Sequence, residues 1–171
     1  LTGPSKGSTN EGEWKNDKQN GKGKFFFVTP DGKQHWYGEG FFVDGYLEGQ
    51  CTFKIIDLKD EMNNTDYVGE MKETQYHGQG TLTRRTPVIA TKNGEDVFVE
   101  VKFTGQRDDG EFVDGPITIE KRWVWGSKSK DVPSYSPNHK YIGVWENNSF
   151  VRGKKYINDK LKYDGEWKDY S

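Results

Sequence analysis

The chain has 171 residues, the size of one ordinary domain, with 31 % hydrophobic residues, a mean hydropathy of −1.01 and a net charge of −2. So little apolar residue excludes a thick leucine-rich core, yet 15 % aromatics and 21 glycines argue against disorder and for a thin core of rings over bare backbone. The balanced charge gives no long-range pull toward nucleic acid, the lone Cys51 excludes an intrachain disulfide, and no apolar run is long enough for a transmembrane helix.

Residues 1–9 are polar and rich in Gly and Ser, and read as a linker or tag remnant rather than a signal peptide. From residue 10 to 171 one motif recurs: an aromatic residue, a spacer, Gly, a spacer, an aromatic or Met, a polar turn, then a returning Gly. The first copy is Gly12-Glu13-Trp14 with Gly21-Lys22-Gly23. Thr29-Pro30-Asp31-Gly32 then predicts a connecting hairpin between Phe25–Val28 and His35–Tyr37, with Gly32 at the positive-φ position. The second copy is Gly38-Glu39-Gly40-Phe41-Phe42 with Gly49-Gln50-Cys51, and the third is Tyr67-Val68-Gly69-Glu70-Met71 with Gly78-Gln79-Gly80. Asn93-Gly94, between Val88-Ile89-Ala90 and Val97-Phe98-Val99, predicts an inserted hairpin over 86–101. The fourth copy is Phe103-Thr104-Gly105-Gln106-Arg107 with Gly115. An irregular loop is expected over 126–139, before Tyr141-Ile142-Gly143-Val144-Trp145 with Gly153. The sixth copy, Tyr163-Asp164-Gly165-Glu166-Trp167, runs out at Ser171. The repeats thus begin near 10, 38, 67, 103, 141 and 163.

The alternation assigns the faces, because residues two apart in a strand share one. Tyr67, Gly69 and Met71 lie on one face with Glu70 and Lys72 opposite; Gly78, Gly80 and Leu82 share the returning face. Glycine weakens a strand unless something needs the space, and the natural occupant is a ring from the same or the next repeat. A lone hairpin is marginal in water, so stability comes from stacking neighbours. The expected fold is all-β: an elongated, single-layer antiparallel sheet of tandem β-hairpins, twisted or half-pipe shaped.

These residues resemble the MORN (membrane occupation and recognition nexus) repeat family, whose pattern is Tyr, a spacer, Gly-Glu-Trp, a Lys- and Asp/Asn-rich turn, then Gly-x-Gly. Copies one and six follow it closely, and copies three and five match well. Copies two and four depart from it: Gly38 replaces the leading aromatic and Arg107 replaces Trp. The resemblance implies an elongated sheet with an aromatic-lined groove. It also implies a largely non-catalytic role in scaffolding cytoskeletal, ciliary or membrane-contact assemblies, or beside an enzyme domain.

No catalytic, cofactor or metal constellation stands out. His35, His77 and His139 are far apart with one cysteine between them, and His77 reads as a turn residue. Cys51, at the second-glycine position of copy two, reads as a small buried side chain. The carboxylate groups at Asp57, Asp60 and Glu61 and at Asp108, Asp109 and Glu111 fall in predicted turns and read as solvated loop charge. Two features carry the functional expectation. One is the ring face: Trp14, Phe42, Tyr67, Met71, Phe103, Tyr141, Trp145, Tyr163 and Trp167, which either packs only on glycines or lines a partner-binding groove. The other is a loop interaction site made by Trp123 and Trp125 with Lys128, Lys130 and Tyr135. The expected function is a cytoplasmic, non-enzymatic scaffold that binds a helix or extended peptide along the groove. Its alternatives are a peripheral module for anionic lipid, with a membrane or cytoskeletal location, or the regulatory repeats of a larger enzyme. An unpaired C-terminal edge would also suit end-to-end homodimerisation.

Overall fold

A computed structural model describes residues 7–58, 64–87, 97–125 and 137–167. Period-two alternation and two-residue turns leave the chain one economical solution, a meander. The strands are β1 (Thr9–Lys15), β2 (Lys18–Val28), β3 (Gln34–Val43), β4 (Tyr46–Asp57), β5 (Thr65–Lys72), β6 (Gln75–Pro87), β7 (Val97–Asp108), β8 (Glu111–Trp125), β9 (His139–Glu146), β10 (Ser149–Ile157) and β11 (Lys160–Glu166). They form one eleven-stranded sheet in sequence order, every neighbouring pair antiparallel. The expected single-layer sheet of tandem hairpins is therefore the observed one.

The turn residues explain why the strands reverse so tightly. Asn16-Asp17, Asp44-Gly45, Glu73-Thr74, Asp109-Gly110, Asn147-Asn148 and Asn158-Asp159 all have positive φ at both positions, the signature of a type I′ turn. Glu73-Thr74 is the costly pair, since a β-branched residue resists positive φ. The preceding repeat compensates: Thr74 N–H donates to Leu47 O (3.1 Å), Leu47 N–H donates to Thr74 Oγ1 (3.0 Å), and Glu73 N–H donates to Glu48 Oε1 (2.8 Å). The same tie links other turns, with Gly45 N–H donating to Gln19 O (2.9 Å) and Gly110 N–H to Tyr76 O (3.0 Å).

Between turn and glycine the pairing shifts in each hairpin, for example between Gly69 and Met71 on β5, where Gly69 opposes Gly80 but Met71 opposes Tyr76. In the first four hairpins the bulge includes a residue of positive φ, provided by Gly21 (115°), Gly49 (66°), Gly78 (56°) and Gly115 (149°). Each of these glycines also faces the next repeat's large side chain: Gly21 opposes Phe42, Gly49 opposes Met71, Gly78 opposes Arg107, and Gly115 opposes Trp145. Copy five departs from the spacing read in the sequence. Gly153 opposes Gly143 and so belongs with Gly23 and Gly80, because the bulge of β10 is shorter.

The consequence is a row of bare backbone across the sheet. Gly12 pairs with Gly23, and Gly23 with Gly40; Cys51 pairs with Gly69, then Gly80, Gly105 and Ile117; Ile117 pairs with Gly143, then Gly153 and Gly165. Beside it runs a row of large side chains interrupted once by glycine, from Phe25 through Gly38, Phe53, Tyr67, Leu82, Phe103, Ile119, Tyr141 and Lys155 to Tyr163. Tyr67 lies over Gly80, and Phe150 over Gly143 and Gly153, so closely that a Cβ on the glycine would collide with the ring. In copy one a buried polar side chain replaces the ring: Gln19 Nε2 donates to Glu11 O (3.0 Å) and Lys24 O (3.2 Å) over Gly23.

The segment expected to form an inserted hairpin has its arms paired, Thr86 with Val99 and Pro87 with Phe98. These arms are continuations of β6 and β7, so among the described residues no extra strands enter the order. The Asn93-Gly94 turn lies outside the described residues, as does most of the 126–139 segment.

Gly80→Ala should destabilise the fold by about 1–3 kcal/mol in urea unfolding, because its Cβ would displace the Tyr67 ring. Its row neighbour Gly105 has only ordinary contacts, the nearest at 3.4 Å to Phe112. Gly105→Ala should therefore change stability by less than about 1 kcal/mol. Equal losses at the two sites would contradict the ring-on-glycine account.

Candidate functional site

The two sheet faces differ in chemistry. On the glycine face, one buried cluster joins Phe42, Leu47, Cys51, Phe53, Tyr67, Met71 and Leu82, with Phe25, Trp36, Ile55 and Tyr76 packed against it. A second joins Val101, Ile117, Ile119, Tyr141 and Phe150, flanked by Val99, Phe103, Phe112, Trp145 and Trp167. On the opposite face one row reads Glu11, Lys24, Glu39, Thr52, Val68, Thr81, Thr104, Thr118, Ile142, Lys154 and Asp164 in strand order. The next contains Lys54, Asp66, Thr83, Lys102, Glu120 and Lys140. Opposite charges meet across strands here: Lys24 with Glu11 (3.0 Å), Lys140 with Glu120 (2.7 Å), and the buried Glu100 with Arg122 (2.6 Å) and Arg85 (3.6 Å).

The nine ring-face residues divide by exposure. Phe42, Tyr67, Met71 and Tyr141 are buried, at 2 %, 0 %, 2 % and 8 % exposure. Neighbouring rings and the glycine row already occupy the surfaces of these four. Phe103, Trp145 and Trp167 are half-buried. Trp14 and Tyr163, at the two ends, are exposed. The backbone of Trp123 and Trp125 pairs with Val99 and Val97 on β7. Their side chains, with Lys128, Lys130 and Tyr135, lie outside the described residues.

Sequence reading missed the residues just after each turn, which oppose the motif's large side chain: Gln19, Leu47, Tyr76, Phe112 and Phe150. The signal was a fixed offset of five from Trp14, Phe42, Met71, Arg107 and Trp145.

Arg107 is the outlier. It is 5 % exposed and forms no salt bridge among the described residues; its guanidinium lies 3.8 Å from the Phe112 ring centroid and 5.7 Å from that of Tyr76, and Nη1 donates to Gly110 O. The flat cation thus stands in for a ring where the two clusters meet. Burial lowers its pKa. Burial also pushes the Cys51 thiol up to about 11 and, as the leading cause, the Tyr67 phenol up to about 12. The Tyr67 hydroxyl donates to Glu70 O (2.7 Å), and Tyr163 makes the equivalent bond to Glu166 O. That bond gives the Tyr-x-Gly-Glu spacing a physical reason: the ring crosses the glycine and its hydroxyl satisfies the carbonyl at the bulge.

The MORN repeat pattern matches residues 11–29, 39–57 and 67–86, each one hairpin closed by a type I′ turn. The chain is a MORN-repeat protein. A type I′ turn followed by a bulge recurs beyond the matched residues in the hairpins β7–β8 and β9–β10, and a ring covers the glycines in β9–β10. A search of curated proteins found none similar to the chain. MORN repeats are non-enzymatic modules that contact proteins or membranes. His77 sits at the bulge with Nδ1 3.1 Å from Asp108, and among the described residues no three His, Cys, Asp or Glu gather as a metal site.

At pH 8 the native Cys51 thiol should alkylate at least about a hundredfold more slowly than in urea, following its raised pKa and burial. Similar rates would mean that the first cluster opens freely. Arg107→Met should keep stability within about 1 kcal/mol of the parent, since Met71 fills the same position one repeat earlier. Arg107→Ala should lose about 2 kcal/mol in urea unfolding.

Proposed function

We propose that the chain is a non-catalytic scaffold whose glycine-side face receives a partner protein segment, helical or extended. The observation that carries the reading is the half-buried set Phe103, Trp145 and Trp167, flanked by the exposed Trp14 and Tyr163. A one-layer sheet has no second layer to cover these ring edges. Aromatic edges above a packed base are the usual anchors of a protein interface. The opposite face, with its charges paired across strands, offers a partner less.

A second reading has an anionic bilayer meeting the same face. It draws on Arg84, Lys121 and Lys155, cations interspersed with the rings. Flotation with phosphatidylserine vesicles at low and physiological salt tests it, and failure to float at either removes it.

For the scaffold reading, the partner co-purified with the chain should be recovered at least about tenfold less well by Phe103→Ala/Trp145→Ala. Val68→Ala/Thr104→Ala, on the other face, should leave recovery unchanged. The reverse pattern, or equal recovery by both folded variants, would overturn the choice of face.

A further inference from the structure

Charge on this molecule is sorted by face. On the polar side the cations meet carboxylates across the strands, as Lys54 does Asp66 (3.6 Å) and Lys140 does Glu120 (2.7 Å). On the aromatic side Arg84, Lys121 and His139 occupy the row that reads Phe27, Trp36, Ile55, Thr65, Arg84, Val101, Lys121, His139 and Ile157. Lys155 stands in the adjacent ring row between Tyr141 and Tyr163. Neither row, nor the glycine row, contains an Asp or Glu among the described residues. Ile157 in turn pairs with Lys160, so a chain of net charge −2 presents a positive stripe on its ring face over β6–β11.

At the end of the stripe the rings leave an opening. Tyr141, Phe150 and Trp167 meet edge to face, with centroids 6.1 Å (Tyr141–Phe150), 5.7 Å (Tyr141–Trp167) and 5.5 Å (Phe150–Trp167) apart. With Ile119 and Lys121 they line a cavity of about 60 Å³. The Lys121 and Lys155 ammonium groups lie 6.0 and 5.6 Å from the Tyr141 centroid. Burial first, and then these two ammonium groups, hold the His139 imidazole below its usual pKa.

We propose that β8–β11 dock an acidic peptide segment through one apolar anchor: the anchor enters the cavity between Tyr141, Phe150 and Trp167, and carboxylates beside it meet Lys121 and Lys155. The proposal rests on the scaffold reading above and names the chemistry of the partner. A cationic guest, such as a methylated lysine, is disfavoured: two ammonium groups already stand at the Tyr141 ring, and none of the cavity's lining residues is acidic. A bilayer is disfavoured because it rewards a broad basic surface, whereas here the cations span a short stretch of a net-negative chain. The cavity takes one side-chain tip, and the two lysines match carboxylates on either side of it.

The test uses the full chain and an acetylated, amidated heptapeptide with one phenylalanine between two triplets of aspartate. Comparison peptides carry alanine for the phenylalanine, or lysine for the aspartates. Binding is read by titration of the tryptophan indole NMR signals. The acidic phenylalanine peptide should bind, and at least about tenfold more weakly to Lys121→Glu/Lys155→Glu, whose substitutions lie outside the buried clusters. The alanine and lysine peptides should each lose at least about tenfold against the parent. Trp167→Ala should abolish the preference for phenylalanine over alanine. Undiminished binding to the charge-reversed chain, or equal binding of the lysine peptide, overturns the acidic partner while leaving the scaffold reading in place. If no peptide binds and phosphatidylserine vesicles alone are captured, both readings fall together.

Discussion

Everything in this sheet depends on a ring or its equivalent lying against backbone that carries no side chain. A single layer has no opposing sheet or helix to bury its apolar face, so the core must form within the thickness of one face. Removing Cβ from one row lets the neighbouring side chains lean across and cover it. At roughly 25 cal/mol per Å² of apolar area, that contact stabilises a hairpin that would be marginal alone. The contact also crosses repeats at Gly38, which the Phe25 ring of the preceding repeat covers. Cohesion therefore runs along the array.

The constraint tolerates substitution in kind. Gln19 covers Gly23 with a side-chain amide bonded to two carbonyls. Arg107 lays a guanidinium where other repeats place Trp, Phe or Met, and Phe112 beneath it takes the charge on its π face. Cys51 and Ile117 stand where glycine is otherwise found. The longer bulge of the first four hairpins keeps its positive φ, and glycine stays at Gly21, Gly49, Gly78 and Gly115 even where the covering ring has changed. The backbone demand is stricter than the side-chain demand because a ring has several substitutes and positive φ has few.

The same architecture separates the faces by charge. Cross-strand ion pairs hold the polar side, while the ring side keeps its cations among aromatics. A sheet paired in register places residues of one parity in continuous rows, so a modest bias at each strand becomes a coherent stripe on the surface. That is how a nearly neutral chain comes to present a directional surface to a partner.

The repeat, the single layer, the polar and aromatic faces and the turn residues were legible in the sequence, because period-two alternation and positive-φ residues are local properties. Tyr67, Gly69 and Met71 share a face whatever their neighbours are. Which rings remain open was not legible. Phe42, Tyr67, Met71 and Tyr141 look like Phe103, Trp145 and Trp167 in the chain, yet the first four are buried by strands from adjacent repeats. The bulge length that moves Gly153 into the glycine row, and the cross-strand register that gathers Lys121, His139 and Lys155 around Tyr141, were equally hidden. Both depend on how one strand slides against the next, which is set by packing between residues far apart in sequence. The chain alone determined what each strand offers to either side; the tertiary register decided which of those offers are used up inside the sheet.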